Sequence, residues 1–178
     1  SSAASDVYKR QNYDRRYRGF TTLREAITDS INIVTVKTLA QAGVSLGWQY
    51  VQEYGFTTVD SRDMNEALAL GGITQGVSNL ELTAAYAAIA NQGTYIKPKF
   101  YTKILDHDGN VLIDNTTPES HTVIKDTTAW LLTSAMEDVM TSGTGTSAYF
   151  GSSMAQAGKS GTTTSSRDAL FAGYTPYY

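Results

Sequence analysis

Apolar residues recur at helical spacing in the first half of the chain and at strand spacing toward its end, with polar turn signals between. Thr22 and Glu25 have the spacing of a capping box, which predicts a helix starting there. It should falter near Asp29 and Ser30, because short polar side chains compete for backbone groups. A second helix over 33–41 should stop at Gly43, which places Ser30 and Asn32 at a helix junction. A third helix is expected over 46–54, with Gly55 free to end it in a left-handed conformation.

The chain then turns polar through Asp63 and passes through Leu68-Ala69-Leu70-Gly71-Gly72. A second capping box, Ser78 with Glu81, opens an Ala-rich helix that should close near Gly93. Residues 100–105 and 111–114 read as two strands joined by the turn-forming group Asp106-His107-Asp108-Gly109. Asp126 is placed to cap a long helix that carries Trp130, Leu131, Met136 and Val139 as expected core residues and ends at Gly143-Thr144-Gly145. Residues 155–164 and 169–174 read as neighbouring strands connected through Ser165-Ser166-Arg167-Asp168. Helices first and strands last define a segregated α+β fold, helices packed on an antiparallel sheet.

With 178 residues and 41% hydrophobic content, the chain has the size of one domain or a large part of one. A net charge of -3 argues against a nucleic-acid partner. The absence of cysteine excludes disulfides and thiolate metal sites but leaves the compartment open. The longest apolar run, residues 84–90, is far short of the roughly 20 residues a membrane-spanning helix needs. Residues 1–11, a Ser/Ala lead and then Asp6-Val7-Tyr8-Lys9-Arg10-Gln11, read as a leader foreign to the rest of the chain. No cofactor or metal is expected, since His107 and His121 fall in expected turns or loops without an arranged ligand set.

The candidate chemistry lies in two short motifs. Lys159-Ser160-Gly161-Thr162 puts an ammonium, two hydroxyls and a glycine on an expected strand, where Lys159 and Gly161 share one face and Ser160 and Thr162 the other. Glycine admits a close backbone approach, so such an edge suits an extended peptide ending in a carboxylate. Ser30-Ile31-Asn32 is the other motif. Taken alone, one is an ordinary polar strand and the other an ordinary cap.

Together, and in this order, they resemble the transpeptidase domain of class A penicillin-binding proteins. The resemblance runs over residues 12–178 through Arg18-Gly19, Thr22-Leu23-Arg24-Glu25-Ala26, Ser30-Ile31-Asn32, Ala67-Leu68-Ala69-Leu70-Gly71-Gly72, Gly76-Val77-Ser78, Ala90-Asn91-Gln92-Gly93, Gly143-Thr144-Gly145, Lys159-Ser160-Gly161-Thr162 and Phe171-Ala172-Gly173-Tyr174. It implies the fold shared by penicillin-binding proteins and serine β-lactamases, incomplete here at both ends. The family works with Ser-x-x-Lys, Ser-x-Asn and Lys-Thr/Ser-Gly. The last two are present, but no lysine in the chain has a serine three positions earlier. Thr94 with Lys97 and Thr122 with Lys125 come nearest in form and read as surface residues.

The resemblance implies catalytic roles for Ser30, Asn32 and Lys159 and substrate-binding roles for Ser160, Gly161 and Thr162. Ser160 stands where threonine is more common in the family. Peptidoglycan stem peptides and β-lactams are the implied partners, at the extracytoplasmic face of a bacterial membrane reached through an upstream anchor. A β-lactamase or D,D-carboxypeptidase relative, or a non-catalytic penicillin-sensing or cell-wall-binding module, would carry the same motifs. Lacking a nucleophile, the chain by itself is expected to be inactive.

Overall fold

Local sequence signals set the ends of the helices in the computed structural model, which describes residues 11–151, 153–163 and 168–177. Most of the expected leader (1–10) and of the expected connection (165–167) lies outside the described residues. Helix α1, Leu23–Thr28, begins in the Thr22/Glu25 capping box, and α4, Asn79–Ala90, begins in the Ser78/Glu81 box. Helix α2, Asn32–Ala42, stops at Gly43, and α3, Val44–Glu53, starts directly after it, two residues earlier than the polar pattern suggested. Helix α5 is Asp126–Thr141; Asp126 is its first residue rather than its cap, although its carboxylate accepts the Thr127 N–H at 2.7 Å.

The strands form three two-stranded antiparallel sheets among the described residues rather than one larger sheet. Strands β1 (Thr94–Ile96) and β4 (Ser120–Thr122) pair with Tyr95 opposite His121. Their strand character is not visible in local patterning, and His121 consequently sits on a strand, not in a loop; His107 does lie in a turn. Between them, β2 (Lys103–Leu105) and β3 (Val111–Asp114) make a hairpin shorter than the apolar run from Phe100 implied. Strands β5 (Ala157–Thr162) and β6 (Ala169–Tyr174) form the last hairpin, with Lys159 opposite Ala172 and Ser160 opposite Phe171.

The core collects around α5, which packs on β5 and α1, and around α4, which packs on β1, β6 and α5. Ala129, Ala135, Met136, Val139 and Met140 form the buried face of α5. Trp130 and Leu131, expected in the core, are instead 68% and 60% exposed. They precede Met136 by six and five residues, which at 3.6 residues per turn turns them about 120° to 140° away from its face. Arg24 links α1 to α5 through Asp138 Oδ2 at 2.5 Å and the Ser134 carbonyl at 3.1 Å. No helix among the described residues is long and apolar enough to cross a membrane.

Candidate active site

Ser30 owes its position to the way α1 ends. The Ile31 N–H donates to the Ala26 carbonyl at 2.9 Å and the Ser30 N–H to the Ile27 carbonyl at 3.3 Å, the bond pair of a Schellman ending. Ala26 and Ile31 are both buried, supplying the apolar contact that accompanies such an end. Ser30 takes the left-handed position, with φ 56°, where glycine is the usual residue. A side chain there costs about 1–2 kcal/mol. What it brings is a hydroxyl aimed at β5: the Lys159 ammonium donates to Ser30 Oγ at 2.9 Å and to the Ser160 carbonyl at 3.1 Å.

Helix α2 starts at Asn32, immediately after this turn, and Ile31 in the cap position offers no side-chain bond to its free amides. The cap comes from far upstream. Buried Asn12 accepts the Ile33 N–H at 3.2 Å through Oδ1, and its own amide donates to the Arg16 carbonyl at 2.6 Å. Asn32 Nδ2 donates to the Gln11 carbonyl at 3.2 Å. Residues 11–18 are also tied down through Arg18, which pairs with Asp29 and, at 3.1 Å, with Asp14.

On the opposite wall, Ser160 Oγ lies 2.9 Å from Thr144 Oγ1, and the Thr144 N–H donates to the Thr28 carbonyl at 3.2 Å. Gly143 fits so closely beside α1 that a Cβ would come within 2.2 Å of the same carbonyl. At Gly161 a Cβ would meet nothing within 4 Å, so packing inside this chain does not demand glycine there. Thr162 is exposed at the end of β5.

These residues line one cleft of about 690 Å³, walled by the end of α1, the start of α2, Ala69 and Leu70, Tyr86 of α4, Met136 of α5 and residues 159–162 of β5. All six residues anticipated from the motifs face it: Ser30, Asn32, Lys159, Ser160, Gly161 and Thr162. Burial pushes the Lys159 ammonium below the ordinary lysine value of 10.5, because the charged form loses hydration there. Among the described residues its two hydrogen-bond partners are neutral and no carboxylate lies within bonding distance, so the cleft keeps an uncancelled cation there. Such a site attracts an anionic ligand group.

Thr144 and Tyr13, which also line the cleft, escaped the motif reading, as did Asn12, which caps α2. Thr144 belongs to a segment that the resemblance did include. Asn12 leaves one indirect trace in the sequence, since isoleucine is among the poorest capping residues and α2 therefore needs a cap from elsewhere.

The family model for the penicillin binding protein transpeptidase domain matches residues 2–177. The chain therefore belongs to the penicillin-binding protein transpeptidase family, and its relatives are class A proteins. It is 39% identical over 175 residues to penicillin-binding protein 1F of Bacillus subtilis, covering 95% of this chain and 24% of that protein. It is 37% identical to penicillin-binding protein 1A of Clostridium acetobutylicum, covering 96% of this chain and 21% of the relative. Among solved structures, penicillin-binding protein 1A from Haemophilus influenzae superposes with a TM-score of 0.81 at 26% identity, over 93% of this chain and 30% of the other. The chain thus spans about a quarter of the length of these curated relatives.

Proposed function

We propose that this chain supplies the Ser-x-Asn and Lys-Ser-Gly walls of a D,D-transpeptidase site that cross-links peptidoglycan on the extracytoplasmic side of a bacterial membrane. The observation that carries this reading is the convergence of Ser30, Asn32 and residues 159–162, from distant parts of the chain, on one cleft with the Lys159 ammonium on the Ser30 hydroxyl. In the complete protein, the serine of a Ser-x-x-Lys motif attacks the penultimate D-Ala carbonyl of a stem peptide. A nearby lysine takes its proton and the terminal D-Ala leaves with a protonated amine. An amine of a neighbouring stem peptide then attacks the acyl-enzyme ester, forming the cross-link and freeing the serine. A β-lactam undergoes the first step and stalls as the ester.

Ser30 relays protons in this scheme, Asn32 holds a substrate amide and orients the Ser-x-x-Lys lysine, and Lys159 supplies positive potential. The hydroxyls of Ser160 and Thr162 take the substrate carboxylate. The Thr162 N–H joins that of the nucleophile as an oxyanion hole, a donor whose loss costs about 10² to 10³ in rate. Gly161 lets the substrate backbone lie against β5, consistent with the open space at its missing Cβ. Since no lysine of this chain has a serine three positions earlier, the chain alone forms no acyl-enzyme.

The test joins these residues to an upstream Ser-x-x-Lys segment and exposes the resulting domain to a fluorescent penicillin. Covalent labelling is expected, with loss on changing that serine to alanine and much slower labelling with Lys159→Ala. A folded domain that takes no label would overturn the transpeptidase reading in favour of a non-catalytic relative.

A further inference from the structure

The proposed roles of Ser30, Asn32 and Lys159 leave one polar contact in the cleft without a task, the hydroxyl pair of Thr144 and Ser160 at 2.9 Å. Thr144 does not reach this position by chance of rotamer alone. Its backbone N–H is bound to the Thr28 carbonyl, and Gly143 beside it abuts that carbonyl too closely for any side chain. The end of α5 is thus seated on the last turn of α1, and Thr144 projects from that seat toward β5.

A hydroxyl owns one proton and two acceptor lone pairs, whereas an ionised carboxylate only accepts. If Ser160 donates to Thr144, its proton is spent inside the protein and Ser160 offers only lone pairs to the cleft, which repel an anion. If Thr144 donates to Ser160, the Ser160 proton is free to point into the cleft. Only the second arrangement satisfies Thr144, Ser160 and a bound carboxylate together, and donation along such a chain strengthens each successive bond.

We infer that Thr144 is a positioning residue for carboxylate recognition, its hydroxyl donating to Ser160 Oγ so that Ser160 presents its own proton to the ligand's anionic terminus. This rests on the reading of the cleft as a site for a peptide carboxylate. No bond is made or broken and no proton leaves either hydroxyl; the effect is one of orientation and polarisation.

The test is an NMR titration of the 178-residue chain with an N-acetylated peptide ending in Lys-D-Ala-D-Ala, used once as the free acid and once as the C-terminal amide. Thr144→Val keeps the branched shape of an exposed residue and removes only the hydroxyl. It is expected to weaken binding of the free acid about three- to ten-fold, the value of one hydrogen bond, and to leave the amide unaffected. Thr144→Ser should restore the affinity, and Thr144→Val should add nothing in a Ser160→Ala background, because the effect passes through Ser160. Thr144→Ala supplies the same comparison should the valine variant fail to fold. Undiminished acid binding, equal weakening of acid and amide, or a full additional loss in the Ser160→Ala background would each overturn the inference. An unaltered chain that binds acid and amide alike would instead overturn the carboxylate reading of the cleft, and the inference would fall with it.

Discussion

Two hairpins in this molecule invert the usual expectation about hydrophobicity and burial. β2–β3 is rich in large aliphatics, yet Ile104, Leu105, Val111, Leu112 and Ile113 are all exposed. In β5–β6 the first strand is built mostly from small residues, and its Ala157 and Gly158, with Gln156 beside them, are buried. The difference is a helix. α5 packs along β5 because Ala157 and Gly158 present so little side chain; a Cβ on Gly158 would lie 3.1 Å from Met140 Sδ and 2.5 Å from the Phe171 ring. No element among the described residues packs comparably on β2 or β3, and an isolated two-stranded hairpin is marginally stable on its own. Thus anchoring comes from close approach to a partner, not from apolar content. The motif Lys159-Ser160-Gly161-Thr162 sits on the anchored hairpin, as a site that must hold its geometry requires.

The strongest way to break this contrast is to loosen the anchor. Gly143→Ala places a Cβ about 2 Å from the Thr28 carbonyl and 2.9 Å from the Val139 Cα, both backbone atoms that cannot swing aside. Overpacking of this kind costs about 1–3 kcal/mol, and the upper half of that range is expected because neither contact is a flexible side chain. Urea unfolding should show the loss as a lower midpoint with an unchanged slope. An unaffected midpoint would mean that the end of α5 is not seated on α1, and the case for anchoring β5 through α5 would weaken with it.

How much of this was legible in the sequence divides along the range of the interactions. The starts of α1 and α4 are four-residue capping signals, and the turn that raises Ser30 stems from the polar pair at residues 29 and 30; all are local. β1–β4 pairs Thr94 with Thr122 across an intervening hairpin, and no short window shows that. Trp130 and Leu131 fit a broad apolar pattern but miss the narrow face that Met136 and Val139 define. The six cleft residues were found through motifs, whereas Asn12 and Thr144 act across 21 and 16 positions of sequence by contacts that residue type does not announce. The starts of α1 and α4 are written locally; the cap of α2 and the hydroxyl that meets Ser160 are not.

A smaller effect sharpens the comparison at the cleft itself by separating backbone strain from hydrogen bonding at Ser30. Ser30→Ala keeps the left-handed side chain and removes the acceptor of the Lys159 ammonium, so it should cost about 1 kcal/mol. Ser30→Gly removes the same acceptor but also relieves the strain at φ 56°, and the two contributions should nearly cancel. In both variants Lys159 retains, among the described residues, only the Ser160 carbonyl, so its ammonium is less well compensated and should titrate further below 10.5 than in the unaltered chain. The sign matters: a lysine whose value falls on folding disfavours the folded state while charged, and that penalty lifts as pH rises through its folded value. Side-chain NMR of Lys159 across the alkaline range reads the shift directly. Equal stability of the alanine and glycine variants would show that Ser30 carries no strain.

The smallest expected effect is on the exposed hairpin, where the contrast is most easily refuted. Leu112 is 63% exposed on β3, so Leu112→Ala removes little area from contact with other protein atoms and should change stability by less than about 0.5 kcal/mol. A buried leucine would lose about 2–5 kcal/mol in the same substitution. The two values are far enough apart for a single unfolding curve to distinguish them. Hydrogen exchange gives the complementary view: the β2–β3 amides should open at a much lower free energy than those of β5, whose strand lies against α5. A loss of about 2 kcal/mol or more at Leu112, or β3 amides as protected as those of β5, would mean that the large aliphatics of this hairpin are covered in solution, and that the two hairpins differ in the identity of their partners rather than in having one.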